Sequence, residues 1–156
     1  MYVTQLAAVN LRHLRTTFDL ARQARQRGDE PYGALLADAH GRALLGTQNT
    51  ERSTRDRTAH AELNLVRQAS ARFTPAQLAT CTLYASAEPC AMCAAAILGV
   101  GIGRVVFGVS AARLHDLFRL PEPFRRGADV LTAGPTRIEV LGPVLEDEAE
   151  EALAGY

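Results

Sequence analysis

Residues 82–109, TLYASAEPCAMCAAAILGVGIGRVVFGV, decide the fold. TLYAS is short, β-branched and aromatic, the composition of a strand. Pro89 then stands at the expected first helical position, CAMCAAAIL carries the helix, and Gly99 ends it. GRVVFGV follows as another strand. The glycines of GVGIG come after a helix and lack the G-x-G-x-x-G spacing, so they read as a helix stop and turn rather than a dinucleotide loop.

Working outward, Leu11, Leu14, Phe18 and Ala21 recur at helical spacing with Arg12, Arg15, Asp19 and Arg22 between them, which predicts an amphipathic first helix. The breakers Gly28, Pro31 and Gly33 end it. ALLAD and ALLGTQN, separated by the turn AHGR, read as a hairpin. From Ala59, Leu63, Val66 and Ala69 resume a helical stripe that runs to about Arg72. Downstream, SAARLHDLF reads as a short helix, RIEVLG as a late strand and EDEAEEAL as an acidic helix with a solvated face. Strands alternating with helices after a hairpin predict an α/β fold, a three-layer α/β/α sandwich with a central mixed five-stranded sheet. No repeat or linker divides the chain, so residues 1–156 are expected to form a single domain.

Seventeen basic and seventeen acidic residues leave no net charge, which removes any overall field toward nucleic acid phosphates. The basic residues are all arginine. Hydrophobic residues at 47% and charged residues at 22% are ordinary for a soluble domain. The opening residues lack the pattern of a secretory signal, and AMCAAAILGVGIG is shorter than the roughly 20 apolar residues of a membrane helix. A cytoplasmic protein without a membrane partner is expected. Three cysteines, two of them in C-x-x-C, point in a reducing compartment to metal or redox chemistry rather than structural disulfides.

Chemistry concentrates in two short stretches. RTAHAELNLVRQ, from Arg57, places His60 and Glu62 two residues apart at a helix start; SAEPCAMC places Cys90 and Cys93 three apart at another. Both sulfurs then share one helix face, and a helix N-terminus favours the metal-binding thiolate. If His60 meets them, a Cys2His zinc site results whose fourth tetrahedral position is open. Residues two apart on a helix point to different sides, so Glu62 stands beside the metal rather than on it. Two thiolates offset most of the zinc charge, and such a site needs a nearby carboxylate to take a proton.

The pairing of HAE with PCAMC resembles the signature of zinc nucleobase deaminases, H-x-E…P-C-x-x-C. From PYGALL to GRVVFG the chain resembles the cytidine deaminase-like superfamily, and PYGA, TAHAE, EPCAMC and GRVVFG are most similar to blocks of bacterial guanine deaminases and tRNA adenosine deaminases. The resemblance implies zinc (Zn2+) as cofactor on His60, Cys90 and Cys93, and Glu62 as the proton shuttle that lets a ring carbon lose its amine as ammonia. It further implies that Asn49 hydrogen-bonds the substrate base and that the backbone around Ala61 and Glu88 lines the pocket.

Other features carry competing readings. A C-x-x-C opening a helix also resembles a thiol redox motif, which needs neither H-x-E nor E-P. A structural zinc site takes four protein ligands, and no fourth Cys or His sits at an obvious spacing. A catalytically silent zinc-binding subunit has no use for Glu62. Asn49 at a strand end is also a common turn residue. Tyr32 either stacks on a base or packs into the core. Asp116 and Phe118, in LHDLF, are candidates for the segment that closes the pocket of guanine deaminases, although their spacing departs from that family. Cys81 reads as a buried small hydrophobe, His13 among arginines as solvated, and His40 as a turn residue.

Binding a tRNA loop needs basic contacts to several phosphates, and this chain is neutral with an acidic last helix. A small aminated base or nucleoside is therefore the expected substrate, with a guanine-like purine ahead of cytosine or another aminated heterocycle, and tRNA adenosine disfavoured. Family members are commonly dimers, and the apolar AAAILGVGIG segment fits an expected homodimer.

Overall fold

The computed structural model describes residues 2–120 and 126–154. α1 (Tyr2–Arg27) leads into a hairpin of β1 (Gly33–Ala37) and β2 (Ala43–Gln48). A short α2 (Glu51–Thr54) precedes α3 (Ala61–Arg72), and α4 (Pro75–Leu78) precedes β3 (Thr82–Ala87). α5 (Ala91–Val100), β4 (Arg104–Val109), α6 (Ala111–Phe118), α7 (Gly127–Ala133), β5 (Glu139–Leu141) and α8 (Glu146–Glu151) complete the order.

The five strands form one sheet in the order β2-β1-β3-β4-β5. β1 pairs antiparallel with both β2 and β3, whereas β3 with β4 and β4 with β5 are parallel. The sheet is therefore mixed, as expected. Alternation along the central strands sends Leu36, Leu83 and Val105 to one face, where they pack with Leu65 of α3 and Ile97 of α5. Leu35, Tyr84 and Val106 go to the other face and meet Leu14 and Phe18 of α1 and Ala149 of α8. Two helical layers flank one sheet. No described helix is long and apolar enough to cross a membrane.

Helix boundaries refine several expectations. Pro89 is not the first helical residue: Cys90 is the N-cap of α5, with extended backbone, and the helix starts at Ala91. The stop is not Gly99 but Gly101, whose φ of 79° is the left-handed conformation that glycine adopts without cost. α3 starts at Ala61 with His60 as its N-cap, rather than at Ala59. Gly33 is needed for close approach, because a Cβ there would collide with the Thr17 carbonyl of α1.

His13 is not solvated. It is 5% exposed, its Nε2 lies 2.8 Å from the Gly41 carbonyl in the hairpin turn, and its ring tilts against Tyr84 at 5.0 Å between centroids. The reason lies in the phase of α1: position 13 adjoins the buried stripe of Leu14 and faces the sheet. Asn10, one turn earlier, is also buried and accepts from the Tyr84 hydroxyl at 2.9 Å. Cys81 is buried in the core as expected.

Candidate active site

Two helix N-termini meet at the centre of the site. His60 caps α3 and Cys90 caps α5, and neither side chain spends itself on a cap hydrogen bond. The His60 Nδ1 instead lies 3.5 Å from Cys90 Sγ and 3.5 Å from Cys93 Sγ. The ligand atoms of these three residues all fall within 4.8 Å of one another, so together they could hold a metal ion. Zn–S bonds of about 2.3 Å and Zn–N bonds of about 2.0–2.1 Å give a tetrahedral N···S edge of about 3.5 Å, so the spacing and the soft donor set both fit zinc.

The same proximity governs the protonation of the bare site. The hydrogen bond from Cys93, with help from His60, outweighs burial and holds the Cys90 thiol down at about 4. Cys93 moves the other way, raised by the Cys90 sulfur and by burial, and the bond to Cys90 lifts His60 to about 9. One thiolate thus lies against one imidazolium. A cation placed among these groups would displace that proton.

Glu62, in the first turn of α3, is buried, and burial pushes its carboxyl up to about 7. It faces a cavity of about 160 Å3 that Tyr32, Asn49, His60, Glu88 and Cys90 also line. Six of the residues expected from the sequence therefore share one enclosed space. Tyr32 and Asn49 come together because the hairpin ladder continues beyond its strands, with the Asn49 amide donating to the Tyr32 carbonyl at 3.0 Å. Burial, then Glu30, Glu62 and Glu51, raise the Tyr32 hydroxyl well above its ordinary range and keep it protonated.

The remaining expected residues lie elsewhere. Cys93 is fully buried behind the cavity. Ala61 is also fully buried, and its carbonyl accepts from the Thr47 hydroxyl at 2.7 Å, tying the start of α3 to β2. Asp116 and Phe118 are not among the residues lining the cavity. The Asp116 side chain is 80% exposed, while Phe118 packs on the core beneath α1 and faces a groove toward α8. Glu88 has a structural duty beyond lining the cavity: its carboxylate accepts from the backbone of Ala111 at 3.2 Å and of Ala128 at 3.2 Å, joining α6 to α7.

Glu51, Ala87 and Leu114 also line the cavity and escaped the sequence reading. Glu51 had one available signal, an acid two residues after Asn49. Its carboxylate accepts from Asn49 Nδ2 at 2.6 Å, and its amide donates to Asn49 Oδ1 at 3.0 Å. Behind this pair, the buried Asp29 accepts from the Ser53 amide at 2.8 Å, the Ser53 hydroxyl at 2.8 Å and Arg27 at 2.7 Å. Arg27 reaches on to the Asn49 carbonyl at 2.9 Å.

Comparison with known proteins agrees with this geometry. Residues 9–109 match the cytidine and deoxycytidylate deaminase zinc-binding region. A probable cytosine deaminase from Schizosaccharomyces pombe is 37% identical over 96% of this chain and 93% of its own length. A solved structure from work on tRNA:A34 deaminases superposes with a TM-score of 0.68 at 28% identity, over 92% of this chain and 99% of that one. Guanine deaminase from Bacillus subtilis gives a TM-score of 0.61 at 28% identity over 67% of each chain. Against a tRNA-specific adenosine deaminase from Haemophilus influenzae the likeness is 40% over 98 residues, spanning 62% of this chain and 56% of that protein. A His/Cys/Cys group of zinc spacing beside a buried glutamate, in a chain matched over most of its length, makes this protein a zinc-type hydrolytic deaminase of the cytidine and deoxycytidylate deaminase family.

Proposed function

We propose that the protein deaminates a small, free aminated base, with His60, Cys90 and Cys93 holding the zinc, Glu62 moving the proton and Asn49 orienting the ring. The observation that carries this reading is the cavity itself: Glu62, His60 and Asn49 line a space of about 160 Å3 that contains no arginine among its described lining residues. That volume lies below the roughly 300–1,000 Å3 of pockets for drug-sized ligands. Among the described lining residues, no lysine or arginine faces a phosphate.

Zinc, when bound, supplies the Lewis acidity that makes water a nucleophile near neutral pH. Glu62 takes a proton from the attacking water and passes it to a ring nitrogen, and a second transfer through the same carboxylate reaches the departing amine. The ring carbon gains a C–O bond and loses its C–N bond. Water and an aminated ring become a carbonyl and ammonia.

A guanine-like aminopurine is placed first, on the PYGA and EPCAMC blocks and the likeness to the Bacillus subtilis enzyme. Cytosine is the second reading, favoured by the full-length likeness to the Schizosaccharomyces pombe protein. A homodimer belongs to the same proposal, because α5 exposes Met92, Ala95 and Gly99 in a stretch, residues 91–103, that carries no charge. Its mass in solution, measured by sedimentation, tests that part. Ammonia release from guanine, guanosine, adenine, adenosine, cytosine, cytidine and a tRNA, beside a Glu62→Gln control, tests the activity. Release from a free base, lost in the control, supports the reading; release from tRNA alone overturns it.

A further inference from the structure

We propose that Glu88 is a positioning residue for the base: its carboxylate fixes the α6 wall of the cavity relative to the metal-holding group and so sets how tightly the ring is held. This rests on the small-base reading of the cavity. Glu88 is 7% exposed and stands two residues before Cys90. Its amide donates to the Val109 carbonyl at 2.8 Å, and its Oε1 accepts from the Ala111 amide at 3.2 Å. The residue that leads into the metal-holding turn is thereby fastened, by main chain and side chain, to the turn that opens α6. Leu114 belongs to that first turn, with its amide donating to the Ser110 carbonyl at 3.0 Å, and it lines the same cavity as Cys90.

The second carboxylate oxygen serves another helix. Oε2 accepts from the Ala128 amide at 3.2 Å in the first turn of α7, whose N-cap Arg126 makes no side-chain cap. Both amides belong to helix starts, where the N–H groups have no partner within their own helix. The approach is close, because a Cβ on Gly127 would collide with the Pro89 carbonyl. α6 and α7 are therefore both anchored on the two residues that precede Cys90.

The side chain has to be a carboxylate for this. Two N–H donors converge on it, and a glutamine of the same shape would accept from one and turn its own NH2 against the other. With one backbone amide on each oxygen, Glu88 influences the base through the wall it holds. Losing it does not detach α6, because Glu146 of α8 accepts from the Ser110 amide at 2.9 Å and from the Ser110 hydroxyl at 2.6 Å. The wall shifts while the helix stays on the fold.

The test uses zinc-loaded wild type, Glu88→Gln, Leu114→Ala and the double variant, with zinc per chain, melting temperature, and kcat and KM for guanine and cytosine. Glu88→Gln should keep its zinc, hold kcat within about twofold and raise KM for the better base about tenfold, the equivalent of one lost hydrogen bond. If the carboxylate acts through the wall, the two losses overlap, and the double variant should raise KM no more than about twofold beyond the larger single effect. A lower melting temperature with unchanged KM overturns the proposal, because Glu88 then only supports the fold. Lost zinc, or a fall in kcat at unchanged KM, also overturns it, because Glu88 then acts on Cys90. So do KM effects that multiply in the double variant.

Equilibrium binding of guanine and cytosine to zinc-loaded Glu62→Gln, with and without Glu88→Gln, separates this inference from the one beneath it. Absent turnover by wild type, with a base affinity that falls about tenfold in Glu88→Gln, overturns the small-base deaminase reading and upholds the positioning role. A base affinity that the substitution leaves unmoved overturns the positioning role, whatever the turnover.

Discussion

The two ends of the cavity are built differently. The metal-holding end takes His60, Cys90 and Cys93 from the caps and first turns of two helices that pack on one face of the sheet, and the spacing within each helix start is legible in a few residues of sequence. The other end, the proposed base-binding one, takes Tyr32, Asn49, Glu51 and Leu114 from a hairpin mouth, a four-residue helix and the face of α6. The first depends on local helix geometry and on the packing that brings α3 against α5, the second on hydrogen bonds among loops. Reactivity should therefore fail abruptly when the first is touched, and specificity should drift when the second is.

The largest effect belongs to the ligands. Cys93→Ala should leave the chain without stoichiometric zinc and with ammonia release at background, as read by metal analysis beside a turnover assay. Glu62→Gln comes next. It should keep wild-type zinc and substrate affinity while kcat falls by about 10²- to 10⁴-fold, the usual share of a general acid–base. Retained zinc with lost turnover separates the proton shuttle from the metal cradle. Substantial kcat in that variant would move the proton transfer to another group.

Asp29 probes the other end. Burial alone would raise its carboxyl, but the Ser53 amide, Arg27 and the Ser53 hydroxyl outweigh burial and hold it below the usual carboxylate range. Its side chain is fully buried against a partly exposed arginine. Asp29→Asn should cost about 2–3 kcal/mol at pH 7, since a charged acceptor of several hydrogen bonds is lost. The pH dependence has a definite sign. A depressed folded pKa gives stabilisation that is complete above the unfolded value of about 3.9 and lost as pH falls through the folded one. The melting-temperature gap between variant and wild type should thus be widest near neutrality and close below about pH 4. KM for the base should rise while zinc content stays constant.

This division also explains what could be read in advance. Strands, the hairpin, the two main helices and the three-layer arrangement follow from period and turn chemistry, and the metal-holding triad from residue types at helix starts. Glu51 was invisible because nothing in its neighbourhood says that the first residue of the otherwise exposed α2 lines the cavity; its hydrogen bonds to Asn49 hold it there. His13 misled because its arginine neighbours look solvated, whereas the helix phase turns position 13 onto the sheet. Pro89 misled by one residue of capping: the extended Cys90 takes the N-cap and thereby aims its sulfur at His60.

The smallest effect sharpens the boundary of the base-binding end. Leu114 and Phe118 are four apart on α6 and both pack toward the core beneath α1, but only Leu114 reaches the cavity. Asp116, two residues on from Leu114, turns to solvent, with its carboxylate 3.6 Å from Nδ1 of the adjacent His115. Asp116→Ala should therefore change stability by no more than about 0.5 kcal/mol and leave kcat/KM for the base unaltered. Leu114→Ala should raise KM without removing zinc, because it enlarges the cavity that Leu114 lines and changes none of the three residues that could hold the metal. The pair measures whether α6 contributes shape or charge to base selection. A large effect at Asp116 with none at Leu114 would transfer that role from the apolar wall to the exposed carboxylate.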